Sequence, residues 1–236
     1  MIKLTASMLT AALCASLAAT SAHAAGPPNP AQCPRLSATE TADRERTRPL
    51  AIPAEFRPVA QANVNSIAVA TLSGSTFCVA TGSIEKVDGV RLTSDKRFFH
   101  LAWYGNEAGG YYVVDRSGSG QLVDTGAIPT FSPSRQRFAS IEISESGFGS
   151  LNGFLVMAVN PTGMRQLAKL DNIPVLIDWR IQGWSGENCI NLSGIRQEDV
   201  PQDWANLAKA RRVRYVAQSG SRGWTLTRST GGCPAA

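Results

Sequence analysis

His100 is a residue that could serve as a general base or a metal ligand, and it stands inside the aromatic run Phe98–Trp103. Zinc sites usually combine three or four protein ligands, often with several histidines. The sequence holds one other histidine, His23, within an N-terminal leader-like segment. A histidine flanked by aromatic residues is typical of a strand or a core rather than of a catalytic base. The sequence therefore predicts neither a metal site nor a cofactor.

Carboxylates are the remaining candidates for acid–base chemistry, as in glycosidases, where two of them flank the scissile bond. No motif pairs two of them here, and the sequence lacks the Gly-x-Ser-x-Gly motif of α/β hydrolases. Asp115-Arg116 is typical of a strand-end turn, and Asp178-Trp179-Arg180 of a charge pair on a sheet face. We therefore predict no catalytic residue. The carboxylates considered are Glu142, Glu145, Asp115, Asp124, Asp178 and Glu187.

Aromatic side chains offer a different chemistry, the stacking of a ring against a ligand or a partner. Trp103-Tyr104 and Tyr111-Tyr112 are adjacent pairs in predicted strands. Because neighbouring residues of a strand point to opposite faces, one member of each pair must point away from a one-sided core. Filling the space between sheets is the commoner role of such rings. The outward-facing members of these pairs are nevertheless the predicted binding surface.

Four cysteines lie outside the leader-like segment: Cys33, Cys78, Cys189 and Cys233. The N-terminal segment, described in the next paragraph, predicts export, and an even number of cysteines in an exported chain indicates disulfides. None of these four cysteines shows the close spacing of a zinc knuckle. Three pairings of four cysteines are possible. Proximity in the sequence favours Cys33 with Cys78 and Cys189 with Cys233.

Residues 1–24 have the pattern of a secretory signal peptide. Lys3 precedes an apolar run, Met8–Ala19, and Ala22-His23-Ala24 follows it. The run is shorter than the roughly 20 residues of a membrane-spanning helix. We therefore expect a periplasmic or secreted protein with no membrane insertion after processing.

The remaining chain divides into two parts. Residues 25–60 are rich in proline and charge and predict an extended arm, whereas residues 61–236 alternate short apolar runs with glycine-rich turns such as Gly109-Gly110 and predict an all-β domain. One short helix is expected at Pro201–Ala210, capped by Asp199.

The net charge is +5, and the basic clusters are mixed with acids or alternate like a strand, so no nucleic-acid partner is predicted. These clusters are Arg44–Arg48 and Lys209–Arg214.

A weak repeat suggests the architecture. Thr93–Phe99 and Ser132–Phe138 each join a polar turn to an apolar strand, and Arg211–Val216 repeats the step from basic to aromatic residues. The first two are about 39 residues apart, and a period of roughly 40 residues fits one four-stranded propeller blade.

The segment Pro129–Ala139, PTFSPSRQRFA, resembles the blade turn of the β-propeller repeats in the Tol-system periplasmic protein and its relatives. Ser134 and Arg135 stand where that pattern has aspartate and glycine. The whole chain resembles uncharacterised exported bacterial proteins with a few such repeats. This resemblance implies a small or incomplete propeller-like array of about four antiparallel blades, and it implies no activity. A β-sandwich is the alternative fold.

These patterns predict an exported binding or scaffolding protein whose partner is an envelope protein or a glycan. The alternative is a carboxylate-based hydrolase that acts on an envelope glycan. A concave pocket with two carboxylates about 5–10 Å apart would favour the enzyme. A flat aromatic surface without such a pair would favour the binding protein.

Overall fold

The computed structural model describes residues 26–42, 45–105, 107–144 and 149–234, so the predicted signal peptide and the candidate Glu145 lie outside the described residues. Within these ranges the chain is all-β, with fifteen strands in four antiparallel sheets. The all-β prediction is confirmed, and the chain forms four sheets rather than the two of a sandwich.

The four sheets follow one another along the chain, and each strand pairs with its neighbours in sequence. The first sheet contains β1 (Ala60–Ala62), β2 (Ser66–Ala70) and β3 (Thr76–Ala80). The second contains β4 (Lys86–Leu92), β5 (Phe98–Gly105), β6 (Ala108–Asp115) and β7 (Gln121–Asp124). The third contains β8 (Thr130–Phe131), β9 (Arg137–Glu142), β10 (Gly153–Asn160) and β11 (Gly163–Leu170). The fourth contains β12 (Ile177–Ser185), β13 (Cys189–Ile195), β14 (Arg212–Gly220) and β15 (Gly223–Arg228).

Alternation along the strands packs each sheet against the next. In β5, Phe99 belongs to a core cluster shared with the first sheet, and Phe98 belongs to a cluster shared with the third. In β10, Leu155 packs towards the second sheet, and Phe154 towards the fourth. The second and third sheets therefore bury both faces, because successive side chains of a strand point to opposite sides.

The repeat seen in the sequence is a structural repeat at two of its three places. Lys96 and Arg135 both have a positive φ, 59° and 60°, in the turns that lead into β5 and β9. The backbone N–H of Lys96 donates a hydrogen bond to the Thr93 carbonyl at 2.7 Å, and that of Arg135 donates one to the Ser132 carbonyl at 2.9 Å. Arg135 thus adopts the left-handed conformation for which glycine is usual. The third segment, Arg211–Val216, differs because it leads into the third strand of its sheet.

Both predicted disulfides are confirmed, Cys33–Cys78 and Cys189–Cys233. The first attaches the N-terminal arm to β3. The arm also places Leu50 and Ile52 in the core cluster between the first and second sheets. It is therefore attached to the sheets at Cys33, Leu50 and Ile52.

The expected C-terminal helix is shorter than predicted. It is a 3-10 helix at Trp204–Lys209, and Asp203 caps it by accepting the backbone N–H of Ala205 at 2.9 Å. Asp199 instead closes a separate 3-10 turn, Gln197–Asp199. Trp204 is 60% exposed. The other 3-10 turns are Pro30–Gln32, Thr39–Thr41 and Ala54–Phe56.

None of the helices in the described ranges has the length and hydropathy that a membrane crossing requires.

Candidate binding site

The second and third sheets separate at one end of their shared core and leave a cavity of about 620 Å³. Below it, Tyr111, Phe138 and Leu155 belong to the apolar cluster between the two sheets. Above them the walls come from β4, β5 and β6, from residues 126–128 and from the end of β9. We call this cavity the central cleft.

Glycines form much of the wall of the central cleft. Gly109 and Gly149 make a parallel bridge that joins the second sheet to the segment before β10. Gly126 has a φ of 65°, and a Cβ there would lie 2.1 Å from Oε2 of Glu142. Backbone groups therefore line the cleft where side chains would fill it. Gly109-Gly110, predicted as a turn, lies within β6 instead.

His100 and Tyr111 meet at the base of the cleft, where Nδ1 of His100 lies 2.5 Å from the Tyr111 hydroxyl. Burial, helped by the positive charge of Arg91, lowers the pKa of His100 to about 4. Burial also raises the pKa of the Tyr111 phenol. Both groups are therefore neutral at neutral pH, and the histidine lies in a strand as expected.

Two carboxylates lie on either side of Gly126. Asp124 accepts a hydrogen bond from the Ser150 hydroxyl at 2.5 Å and another from the Gly126 backbone N–H at 3.2 Å. Burial nevertheless raises the pKa of Asp124. Glu142 lines the cleft and accepts the Leu151 backbone N–H at 3.4 Å. Burial raises the pKa of Glu142, and the nearby charge of Asp124 raises it further.

The rim of the cleft is polar and carries an exposed ring. Asp88, Glu107 and Arg91 contribute charges, and Tyr104 is 49% exposed. The Gly89 backbone N–H, together with Lys86, holds the pKa of Asp88 below its usual value. The cleft therefore contains one carboxyl group whose pKa is raised, Glu142, and one whose pKa is lowered, Asp88.

The four predicted aromatic residues divide between two faces of the second sheet. Tyr104 and Tyr111 line the central cleft. Trp103 and Tyr112 lie on the opposite side, with ring centroids 5.4 Å apart, and Trp103 belongs to the cluster shared with the first sheet. The adjacent pairs thus point to opposite faces. A ligand-binding role for these rings stays a prediction.

The other carboxylates that the sequence raised are held in structural contacts. Asp115 is fully buried and paired with Arg97, with an oxygen-to-nitrogen distance of 2.6 Å. Asp178 bridges Arg180 and Arg212, both at 2.7 Å. Glu187 accepts the Ser134 backbone N–H at 3.1 Å.

Sequence analysis identified Asp124 and Glu142 only as scattered acidic residues and did not predict that they lie close together. The two residues are eighteen positions apart, a separation with no local signal, and their proximity depends on the close approach of Glu142 to Gly126. Gly126, two residues after Asp124, is the feature that could have indicated this proximity, because a glycine in the left-handed conformation is typical of such close approaches.

No known protein family and no curated protein matches this chain. Among the described residues, no group of three or more histidine, cysteine, aspartate or glutamate side chains could hold a metal ion.

Proposed function

We propose that the protein is an exported binding protein that holds a segment of envelope glycan in the central cleft. The observation that carries this proposal is the combination of a half-exposed ring, Tyr104, with carboxylates and bare backbone around one cavity. A sugar ring has an apolar face that stacks on an aromatic ring, and hydroxyls that donate hydrogen bonds to carboxylates and backbone carbonyls.

Two disulfides support an oxidising compartment, since such bonds persist mainly in exported proteins. A periplasmic or secreted location agrees with them and with the signal-peptide pattern of residues 1–24. In that location, envelope glycans and envelope proteins are the available partners.

A glycan hydrolase is the second candidate, and the opposed pKa shifts of Glu142 and Asp88 favour it. A carboxyl group with a raised pKa can act as a general acid, and an ionised one can act as a base or a nucleophile. Both residues line the central cleft. Asp124 would then raise the pKa of Glu142 through its negative charge, while its Oδ1 accepts from the Ser150 hydroxyl and the Gly126 backbone N–H.

The four sheets are proposed to be blades of an incomplete propeller related to the Tol-type repeats. Support comes from their order along the chain, their meander topology and the turns into β5 and β9. Spin labels on the first and fourth sheets would test the arrangement. In a closed ring these two sheets would be as near to each other as neighbouring sheets are, whereas an open array would hold them apart.

Calorimetric titration with soluble N-acetylhexosamine oligosaccharides tests the binding function. We expect saturable binding that Tyr104→Ala weakens by about tenfold, since stacking and burial of one ring contribute on the order of 1 kcal/mol or more. Trp204→Ala is the matched control, because it removes an exposed aromatic ring outside the cleft. Absence of binding, or equal losses in both variants, would overturn the proposal.

The same oligosaccharides distinguish the two candidates. A hydrolase would release shorter products, and Glu142→Gln would abolish that release while leaving binding in place. A binding protein would return every oligosaccharide intact after prolonged incubation.

A further inference from the structure

The fourth sheet carries a second cavity, also of about 620 Å³, on the face turned away from the third sheet. Ile190 and Leu192 of β13 belong to the core between the third and fourth sheets. Asn191 and Ser193 alternate with them and therefore point to the opposite face. The C-terminal segment at Gly231 and Gly232 forms another wall of this cavity.

The charge of this cavity is opposite to that of the central cleft. Arg212 and Arg214 line it, and no carboxylate does so among the described residues. Arg212 is neutralised by Asp178, with a nitrogen-to-oxygen distance of 2.7 Å. The ion pairs of the described chain do not include Arg214, so its positive charge remains for a ligand.

Ser193 supplies a hydrogen-bond donor at the cavity wall. Its hydroxyl oxygen accepts from Nε2 of Gln182 at 2.8 Å and from Nε of Arg212 at 2.9 Å. A serine hydroxyl has two lone pairs and one proton, so with the Gln182 amide in this orientation the proton must be donated elsewhere. The residue is 4% exposed, and none of the described atoms accepts that proton in a hydrogen bond.

Asn191 supplies a second donor. Its Oδ1 accepts the backbone N–H of Cys233 at 2.7 Å, which fixes the orientation of the amide. The Nδ2 group therefore lies on the other side of the amide as a donor. The disulfide Cys189–Cys233 ties the segment that carries this contact to β13.

We propose that this cavity binds the phosphate or carboxylate group of a small anionic molecule. Arg214 supplies the charge, and the Ser193 hydroxyl and the Asn191 amide supply hydrogen bonds to the oxyanion. Hydrogen bonds between charged groups are the stronger kind, and a guanidinium suits both phosphate and carboxylate geometry. This site is separate from the central cleft, so its fate does not depend on the glycan proposal.

Titration of the disulfide-bonded protein with inorganic phosphate, and separately with acetate, followed by amide NMR shifts, tests the site. Saturable shifts confined to β13, β14 and residues 231–232 support it, and the anion that binds more tightly identifies the group. Asn191→Asp should weaken binding by about tenfold or more, since it keeps the oxygen that accepts from Cys233 but replaces the donor with a charged oxygen. Arg214→Gln should do the same.

Arg165→Gln is the matched control, because it removes the same charge from β11 of the third sheet. It should leave the affinity unchanged. An equal loss in Arg165→Gln would show that only net charge matters and would overturn the proposal. Absence of saturable shifts with either anion would overturn it as well.

Discussion

Asp115→Asn should destabilise the protein strongly, because it leaves a largely buried guanidinium without its counter-charge. The Asp115 side chain is fully buried, and that of Arg97 is 18% exposed. Asp115 accepts Nε and Nη2 of Arg97 at 2.9 and 2.6 Å and the Ser117 backbone N–H at 2.9 Å. Arg97 also donates to the Asn160 carbonyl in the third sheet. The pair therefore helps to join the second sheet to the third.

The size of the effect follows from what asparagine can keep. Its Oδ1 still accepts from Nε of Arg97 and from Ser117, whereas its Nδ2 would face Nη2 of Arg97, a donor opposite a donor. Loss of one partner of a fully buried ion pair costs about 3–5 kcal/mol. Because Arg97 keeps some contact with water, we expect the free energy of unfolding to fall by about 2–4 kcal/mol.

Urea unfolding followed by tryptophan fluorescence, with the disulfides intact, measures this change. Asp171→Asn is the control, because Asp171 pairs with Lys169 at the surface, where ion pairs contribute less than about 1 kcal/mol. Arg97→Met combined with Asp115→Asn should be more stable than Asp115→Asn alone, since no unpaired charge remains. A loss below about 1 kcal/mol in Asp115→Asn would refute the reasoning.

Three further changes test other parts of the molecule. Reduction of both disulfides should lower the melting temperature, since each contributes about 2–4 kcal/mol, and equal melting with and without reductant would contradict this. Glu142→Gln should raise the melting temperature at pH 7. Burial raises the folded pKa of Glu142, so the protonated side chain stabilises the fold at low pH, and this contribution is lost as the pH rises through the folded pKa. Glutamine stays neutral and avoids that loss. A difference in melting temperature between Glu142→Gln and the wild type that persists unchanged at about pH 3 would contradict this prediction. The ring of His100 should titrate by NMR near pH 4, and stability should fall as the pH drops from the usual histidine pKa towards that value. A titration midpoint near 6.5 would be the contrary result.

Local patterns in the sequence were sufficient for the strands and the disulfides. The alternation in Phe98–Tyr104 places side chains on two faces because a strand has a period of two, and that period holds wherever the strand pairs. Each disulfide closes between segments about 45 residues apart, Cys33 with Cys78 and Cys189 with Cys233, so proximity in the sequence was a sound guide.

The central cleft required information that the sequence does not hold locally. Asp124 ends β7 and Glu142 ends β9, and they belong to different sheets. Their proximity depends on how far those sheets separate above Tyr111 and on the absence of a side chain at Gly126. Sheet-to-sheet distance is set by packing of the whole core, which no short motif encodes.

Each disulfide lies on the face of its sheet that is turned away from the core cluster shared with the neighbouring sheet. The second and third sheets contribute to a core cluster on both faces, whereas among the described residues the first and fourth sheets each share a core cluster with a neighbouring sheet on one face. All five residues of β2 are buried, although only Ile67 and Val69 belong to the core shared with the second sheet. Cys78 pairs in register with Ala68, so the bridge to Cys33 holds the N-terminal arm over the opposite face.

The fourth sheet has the equivalent arrangement at its outer face. Cys189 and Asn191 lie on that face, and both hold Cys233, one through the disulfide and one through a hydrogen bond. In the proposed array of blades, such covers would shield the end units from water and from further association. The two disulfides therefore act on these outer faces rather than between the sheets, and the segment held at the fourth sheet is also a wall of the second cavity.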